Sequence, residues 1–186
     1  GMESIKYLNK RLSREFYKLR NTKFDSFVDL LVMNQKKKIA DSRQMDILIK
    51  LDFFSEFGNP NQLLEQVKIF NEFYGAKQLN KLDLDELLPH DTMLKLCEKE
   101  TEKKYVNVDW LRIVQLLCMK TSDIKTSITD RIQYEADCLG YIQLTVPKLN
   151  PSYIYVLDID GKFSNKTVLG YVLQNGQQRR LKVKAR

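Results

Sequence analysis

The chain has 186 residues, of which 43% are apolar and 30% are charged, a composition typical of ordinary globular proteins that excludes disorder throughout. No apolar run approaches the roughly 18 residues that a membrane-spanning helix needs, and the N-terminus lacks a secretory apolar region, so we expect a cytoplasmic protein without a membrane partner. The net charge of +7 is concentrated at both ends, with 12 basic and 6 acidic residues in 1–50 and 7 and 2 in 151–186, which favours a polyanionic partner or else marks a generically soluble surface.

The N-terminal residues are predicted to form a turn followed by two helices. An apolar stripe at helical spacing is interrupted at Asn9, which separates a short turn from the helix that follows. A second short amphipathic helix is indicated by FDSFVDLL at Phe24–Leu31, and Lys36–Lys38 is expected to be a solvated loop. The first stripe consists of Ile5, Leu8, Leu12, Phe16 and Leu19.

Two further helices flank a turn in SRQMDILIKLDFFSEFGNPNQLL, the segment Ser42–Leu64. Asp41 or Ser42 can cap the first of them, because a short polar side chain accepts hydrogen bonds from the first helical turn. Asn59, followed by a proline at the first helical position, begins the second helix, which is expected to continue to Gly75.

From Lys77 to Lys104 the sequence is polar, and we predict a helical connector that is broken at Pro89. Asp83 or Asp85 is expected to cap a helix in LDLDELLP. Two amphipathic helices should follow, the second beginning near Ser127 and ending at Gly140. Their predicted inward faces are Trp110, Val114 and Leu117 for the first and Ile128, Ile132, Ala136 and Leu139 for the second.

The last segment changes to β character, with SYIYVLD, TVLGYVL and RLKVKA separated by Asp160-Gly161 and Asn175-Gly176. Asn-Gly is typical of a type I′ hairpin, in which both central residues have positive φ. We therefore predict a three-stranded antiparallel meander. Alternation along the third strand places Leu181, Val183 and Ala185 on one face and Arg180, Lys182, Lys184 and Arg186 on the other. These four bases suit a nucleic-acid backbone, or equally serve to protect a sheet edge.

Two segments resemble parts of the alpha subunit of bacterial DNA polymerase III. Ser42–Leu64, with Phe24–Leu31 before it, looks like the tandem helix-hairpin-helix region of that family. RIQYEADCLGYI at Arg131–Ile142 resembles the helix before its OB-fold, although the usual Ser-x-His-Pro continuation reads QLTVP here. The resemblance implies an α+β, mainly α protein, with a tandem helix-hairpin-helix region at 1–75, a helical connector at 76–147 and a three-stranded meander at 148–186. Because an OB-fold needs about five strands, the meander would be a partial OB-like fold of a fragment or truncated relative.

In a helix-hairpin-helix unit, the N–H groups of the hairpin and of the second helix point at a DNA phosphate. The family usually has glycine where this chain has Ser4, Tyr7, Asn9 and Asp52. Asn9 can adopt the left-handed conformation, whereas the carboxylate of Asp52 would repel a phosphate. The predicted DNA-binding residues are Lys6, Asn9, Lys10, Arg11, Arg14, Lys18, Arg20, Lys23, Arg43, Lys50, Asn59, Asn61, Arg180, Lys182 and Lys184.

The resemblance implies a non-sequence-specific DNA-binding module without catalysis or cofactor, since the catalytic domains of the resembled polymerase are absent from this chain. Its expected partners are duplex DNA, gripped through phosphates, and other polymerase domains, with single-stranded DNA as a further ligand of the β part. The alternative is a structural or protein-interaction connector that does not bind DNA.

The sequence gives little support for a magnesium site, a catalytic histidine, a disulfide framework or a zinc site. Asp158 and Asp160 could share a magnesium ion from one strand face, but Asp160 lies in a turn and no third carboxylate is nearby. His90 has no partner that suggests catalysis, and we expect a surface or capping role. The three cysteines contain no C-x-x-C pair, so neither a disulfide framework nor a zinc site is predicted.

Overall fold

The computed structural model describes residue 2, residues 5–161 and residues 165–184, except for the side chains of Asn165 and Lys184. The chain divides into two compact units, an N-terminal unit, Gly1–Ser127, and a C-terminal unit, Ile128–Arg186. Helices and antiparallel strands occur in both parts of the described chain, which confirms the predicted α+β class. None of the described helices is long and apolar enough to cross a bilayer.

Four helices open the N-terminal unit, as the apolar spacing predicts. They are α1 (Lys10–Leu19), α2 (Phe27–Lys37), α3 (Ser42–Lys50) and α4 (Pro60–Phe73). Each begins after a capping side chain that accepts a backbone hydrogen bond from the third helical residue, and the four caps are Asn9, Ser26, Asp41 and Asn59. Their inward faces form an apolar core that includes Leu12, Phe27, Leu48, Ile49 and Leu63.

The prediction of a loop at Lys36–Lys38 was wrong for its first two residues. Lys36 and Lys37 lie in the last turn of α2, where positive charge is favourable because the carbonyl groups of a helix end carry partial negative charge. Lys38 follows with a left-handed backbone, φ 49°, and ends the helix.

The expectation of a purely helical connector was wrong at 78–80, 97–100 and 104–108, where the structure has strands. The segment 78–108 contains β1 (Gln78–Asn80), α5 (Lys81–Leu84), α6 (His90–Lys95), β2 (Cys97–Glu100) and β3 (Lys104–Val108). The strands form an antiparallel sheet in the order β1-β3-β2. Asn80 is the N-cap of α5, so the expectation that Asp83 or Asp85 begins this helix was wrong; Asp83 lies inside the helix and Asp85 is its C-cap.

The N-terminal unit ends with α7 (Trp110–Met119), which presents the predicted Val114 and Leu117 to the core. Trp110 is half-buried, and its ring centroid lies 4.9 Å from that of Tyr74 just beyond α4. This contact joins α7 to the end of α4.

The C-terminal unit consists of α8 (Ile128–Leu139) and a sheet of β4 (Ile154–Asp160), β5 (Asn165–Val172) and β6 (Gln178–Lys184). The strand order β4-β5-β6 confirms the predicted meander. Ile132 is buried as predicted, whereas Ile128 is 44% exposed, because it lies at the first turn of α8. Gly140 ends the helix with φ 79°.

The hairpin at Asn175-Gly176 is longer than a type I′ turn. The strands end at Val172 and begin again at Gln178, and the amide of Val172 donates to the carbonyl of Gln177 over 2.8 Å. Gly176 has φ 76°, but Asn175 is not among the described residues with positive φ. The turn therefore needs one left-handed residue rather than two, and Gly176 supplies it.

Candidate nucleic-acid interface

A short turn before α1 carries the main candidate site. The amide of Leu8 donates to the carbonyl of Ile5 over 3.1 Å, and Tyr7 between them has φ 72°, a left-handed conformation that side chains other than glycine rarely adopt. The buried side chain of Gln44 donates to the carbonyl of Tyr7 over 3.2 Å. The same side chain completes the capping box of α3 with Asp41, so the turn is tied to the first turn of that helix.

Two cations surround the side chain of Tyr7. The guanidinium of Arg43 lies 3.3 Å from the ring centroid, and the ammonium of Lys6 lies 5.0 Å from it. A hydrogen bond from Lys6, with the charge of Arg43 in addition, lowers the pKa of the Tyr7 hydroxyl. Lys6 and Arg43 are both exposed. Residues 37 positions apart in the sequence therefore form one basic cluster, which we call the Tyr7 cluster.

Helix α1 continues the basic surface from this cluster. Lys10 and Arg14 are exposed and lie one turn apart on the same side of the helix. Within the described part of the chain, the amides of Lys10 and Arg11 have no hydrogen-bond acceptor, whereas the amide of Leu12 donates to the capping Asn9. The turn thus presents backbone donors beside exposed cations, a combination that suits an anion.

Some predicted contact residues are partly engaged within the protein. Asn9 has φ −127°, so it serves as the cap of α1 and does not adopt the left-handed conformation. Arg11 donates to the carbonyls of Lys38 and Ile39 over 3.2 and 3.3 Å. Lys50 pairs with Asp46 over 2.8 Å.

Three of the predicted cations lie at or just beyond the far end of α1, which ends at Leu19. Lys18 pairs with Glu15 over 2.6 Å, and this hydrogen bond, with the charges of Arg11 and Lys37, lowers the pKa of the Glu15 carboxyl. Arg20 lies over the ring of Tyr17 with its guanidinium 4.0 Å from the centroid, and Lys23 is exposed. Glu15 therefore offsets part of the positive charge of this region.

The second predicted hairpin is closed to a phosphate by the protein itself. The side-chain amide of Asn59 donates to the carbonyl of Ile124 over 2.8 Å, and the backbone amide of Asn61 donates to the hydroxyl of Thr126 over 2.9 Å. The side chain of Asn61 donates to the carbonyl of Lys125 over 3.2 Å. Asn59 and Asn61 therefore hold the segment 124–126 on the start of α4, and these donors are engaged within the protein.

Replacing Asn59 by alanine should destabilise the N-terminal unit by about 1–2 kcal/mol, because α4 loses its cap and the segment 124–126 loses an anchor. Denaturation followed by the fluorescence of Trp110, the single tryptophan, measures this loss. Asn59→Ser is the matched control, since serine retains a capping oxygen. DNA affinity within twofold of the original is expected for both variants, and a larger loss would restore Asn59 to the contact set.

In the C-terminal unit, Arg180 and Lys182 are exposed on β6. The register pairs Asp158 with Leu169 and Leu169 with Arg180, and likewise places Asp160 and Lys182 on either side of Thr167. Directly paired residues share a sheet face, so this face carries two carboxylates as well as two cations. The side chain of Lys184, and Ala185 and Arg186 altogether, lie outside the described residues.

No family model matches the chain. Comparison with curated proteins and with solved structures also finds no significant match.

Sequence patterns did not reveal a side-chain network on the β1-β3-β2 sheet. The buried hydroxyl of Tyr105 donates to Asp85 over 2.7 Å, and Nδ1 of His90 lies 2.7 Å from the same oxygen. Nε2 of His90 lies 3.4 Å from Glu100, which also pairs with Lys81. Among the described residues, no group of three or more His, Cys, Asp or Glu side chains could hold a metal ion. The network therefore links α5, α6 and the sheet, and His90 belongs to it.

Proposed function

We propose that the N-terminal unit binds duplex DNA through its phosphates, without reading sequence, at the Tyr7 cluster and along α1. The observation that carries the proposal is the placement of exposed Lys6 and Arg43 around a turn fixed by Gln44. Lys10 and Arg14 extend the positive surface, and the amides of Lys10 and Arg11 add donors without a described partner. Cations of this kind neutralise phosphates, and backbone N–H groups donate hydrogen bonds to phosphate oxygens. Neither interaction reads the edges of the bases.

The backbone of two residues supports the helix-hairpin-helix relation within this proposal. Tyr7 has φ 72° and Asp52 has φ 63°, and both stand where the resembled polymerase family usually has glycine. Positive φ is the property for which glycine is favoured at a turn. Two departures in sequence thus retain the backbone conformation that the resemblance requires.

The parent activity follows only from the resemblance. We infer a module of a DNA polymerase III alpha-like protein, with no catalysis in this chain, no cofactor, and other polymerase domains as further partners. The C-terminal unit contributes less to DNA binding in this proposal, because Asp158 and Asp160 share the sheet face of Arg180 and Lys182.

Fluorescence anisotropy with a labelled blunt duplex tests the proposal. If Lys6, Lys10, Arg14 and Arg43 each neutralise about one phosphate, the logarithm of the association constant should fall with the logarithm of salt concentration with a slope between about −3 and −4. Duplexes of unrelated sequence should bind equally, because no base edge is read. Absence of binding at about 50 mM salt would refute the proposal.

The second candidate function is a structural or protein-interaction connector, and the closed start of α4 favours it for the second hairpin. There the segment 124–126 occupies the donors that a phosphate would need. A connector predicts no salt-dependent DNA binding, so the same titration separates the two functions.

A further inference from the structure

An aromatic cleft lies between the second half of α1 and the turn that follows α3. It has a volume of about 830 Å³, and the rings that line it include Phe16, Tyr17, Phe24, Phe53 and Phe54. Tyr17 is 65% exposed and Phe53 is 48% exposed, although both belong to a unit with a well-formed apolar core. Two large rings at one opening form a local apolar surface that a ligand can cover.

The exposed ring of Phe53 packs against two buried rings. The centroid of Phe53 lies 5.5 Å from that of Phe16 and 5.2 Å from that of Phe54, both in edge-to-face geometry. Phe16 and Phe54 are buried. The exposed part of Phe53 is therefore a fixed surface, which costs little conformational entropy when a ligand stacks on it.

Positively charged side chains lie at the rim of the same cleft. The guanidinium of Arg20 lies 4.0 Å from the ring centroid of Tyr17. A shallow groove lined by Ser13, Arg14, Tyr17 and Lys18 adjoins the cleft, because Ser13 and Tyr17 line both. Glu56 is the acidic residue of the lining. The rim therefore combines an excess of positive charge with exposed aromatic rings.

This surface continues the proposed duplex site. Lys10, Arg14 and Tyr17 are exposed and follow one another at spacings of four and three residues, so they lie along one side of α1. The helical rise places Tyr17 roughly 10 Å along the axis from Lys10. A strand whose phosphates contact Lys10 and Arg14 would bring its next nucleotides to the cleft.

We propose that the cleft binds the unpaired bases of a DNA strand, by stacking on Tyr17 and Phe53, while Arg14, Lys18 and Arg20 contact its phosphates. Aromatic platforms beside cations are the general means of binding single strands, because every base has a π face and every nucleotide a charge. An apolar protein segment would cover the rings but would leave Arg14 and Arg20 at the rim without an anionic ligand, whereas Lys18 already pairs with Glu15. The inference rests on the proposed duplex site, and it makes the preferred ligand a duplex with a single-stranded tail.

Anisotropy with four probes tests the inference: a blunt duplex, the same duplex with a dT tail at the 5′ end or at the 3′ end of one strand, and the better-bound tail made of rU. We expect the better dT-tailed duplex to bind at least fivefold more tightly than the blunt duplex, because stacking of one or two bases contributes that much. Comparison of the rU tail with the dT tail shows whether the cleft binds DNA alone or both nucleic acids. 2-Aminopurine in the tail should lose fluorescence on binding, which reports stacking itself.

The Tyr17→Ala, Phe53→Ala variant should lose the preference for a tail and the 2-aminopurine quenching, yet bind the blunt duplex within twofold. Tyr17→Ala alone, at a side chain that is mostly exposed, should lose most of the preference without affecting folding. Tyr17→Phe should retain it. Tyr153→Ala is the matched control, because it removes another highly exposed tyrosine in the C-terminal unit.

The outcomes distinguish the two proposals. Tight binding of the blunt duplex with no preference for a tail, or a preference that survives in Tyr17→Ala, would overturn the cleft assignment and leave the duplex proposal intact. An equal loss of blunt and tailed binding in Tyr17→Ala would also overturn it, because the ring would then support the duplex site instead. Failure to bind any of the probes would refute the duplex proposal itself.

Discussion

Reversing the charge of Lys6 and Arg43 together should weaken duplex binding at least a hundredfold at about 50 mM salt, because each loses a charge-assisted hydrogen bond and gains repulsion from a phosphate. The salt dependence should become shallower by about two units of slope, one for each phosphate that is no longer neutralised. The two side chains are suitable for this test because both are exposed and lie over the ring of Tyr7. Anisotropy titrations of Lys6→Glu, Arg43→Glu at several salt concentrations measure both quantities.

The matched control is Lys95→Glu, Lys99→Glu, which changes the net charge of the N-terminal unit by the same amount. Lys95 and Lys99 are exposed in α6 and β2, on elements that do not carry the proposed site. A long-range field effect would weaken binding equally in both variants, whereas local phosphate contacts predict a small loss in the control. Similar losses in the two double variants would contradict the assignment of Lys6 and Arg43.

Arg11 is a less suitable residue for charge reversal, even though the sequence places it in the same basic stretch. Its guanidinium donates to the carbonyls of Lys38 and Ile39 at the end of α2. Reversal there would remove a structural contact as well as a charge, so weaker binding would have two causes. In the Tyr7 cluster this second cause is smaller, because Lys6 and Arg43 contact the exposed side chain of Tyr7, whereas Gln44 holds the backbone of the turn.

Local signals were sufficient to predict the first four helices and the final meander. Asp41 and Gln44 form a capping box, and Asn59 precedes a proline at the first helical position, so the starts of α3 and α4 are determined by neighbouring residues. The apolar spacing that follows each cap predicts which face is buried. Boundaries set by residues three or four positions apart are those that sequence patterns specify best.

The basic cluster and the first sheet depend on contacts that sequence patterns do not encode. Arg43 reaches Tyr7 only because the turn before α1 packs on the start of α3. The strands β1 and β2 have only three and four residues, most of them polar and exposed, which is too short a segment for alternation to identify a strand. Likewise, the donors at the start of α4 are occupied by Thr126, more than sixty positions away. Such long-range pairing explains why the engagement of Asn59 and Asn61 within the protein could not be predicted from the sequence.

Replacing Tyr105 by alanine should destabilise the N-terminal unit by about 3–5 kcal/mol, the range for truncating a fully buried aromatic side chain. Tyr105 is 0% exposed and lies on β3, the central strand of the first sheet. Its hydroxyl also joins Asp85 to His90, so α5 and α6 would lose their common partner. Chemical denaturation followed by Trp110 fluorescence measures the loss.

Tyr105→Phe separates packing from hydrogen bonding in this effect. The ring remains, while Asp85 loses a donor at 2.7 Å, so we expect a smaller loss of about 1–3 kcal/mol. Because the hydroxyl hydrogen goes to Asp85, Nδ1 of His90 must carry the hydrogen that it shares with the phenol oxygen. DNA affinity should be unchanged in this variant, since the network lies outside the Tyr7 cluster and α1.

The pH dependence of stability gives a second measurement of how much the Tyr105 hydroxyl contributes to the free energy of unfolding. Burial, reinforced by the hydrogen bond to Asp85, raises the pKa of Tyr105 above its ordinary value of 10.0. The unfolded chain therefore releases the proton first, and the stabilisation is complete below about pH 10 and is lost as the pH rises toward the higher pKa of the folded state. The unfolding free energy of the original protein should fall relative to that of Tyr105→Phe above about pH 10. Parallel curves for the two proteins up to about pH 11 would show that the hydroxyl is solvated in the folded protein, and the network would then contribute little to holding α5 and α6 on the sheet.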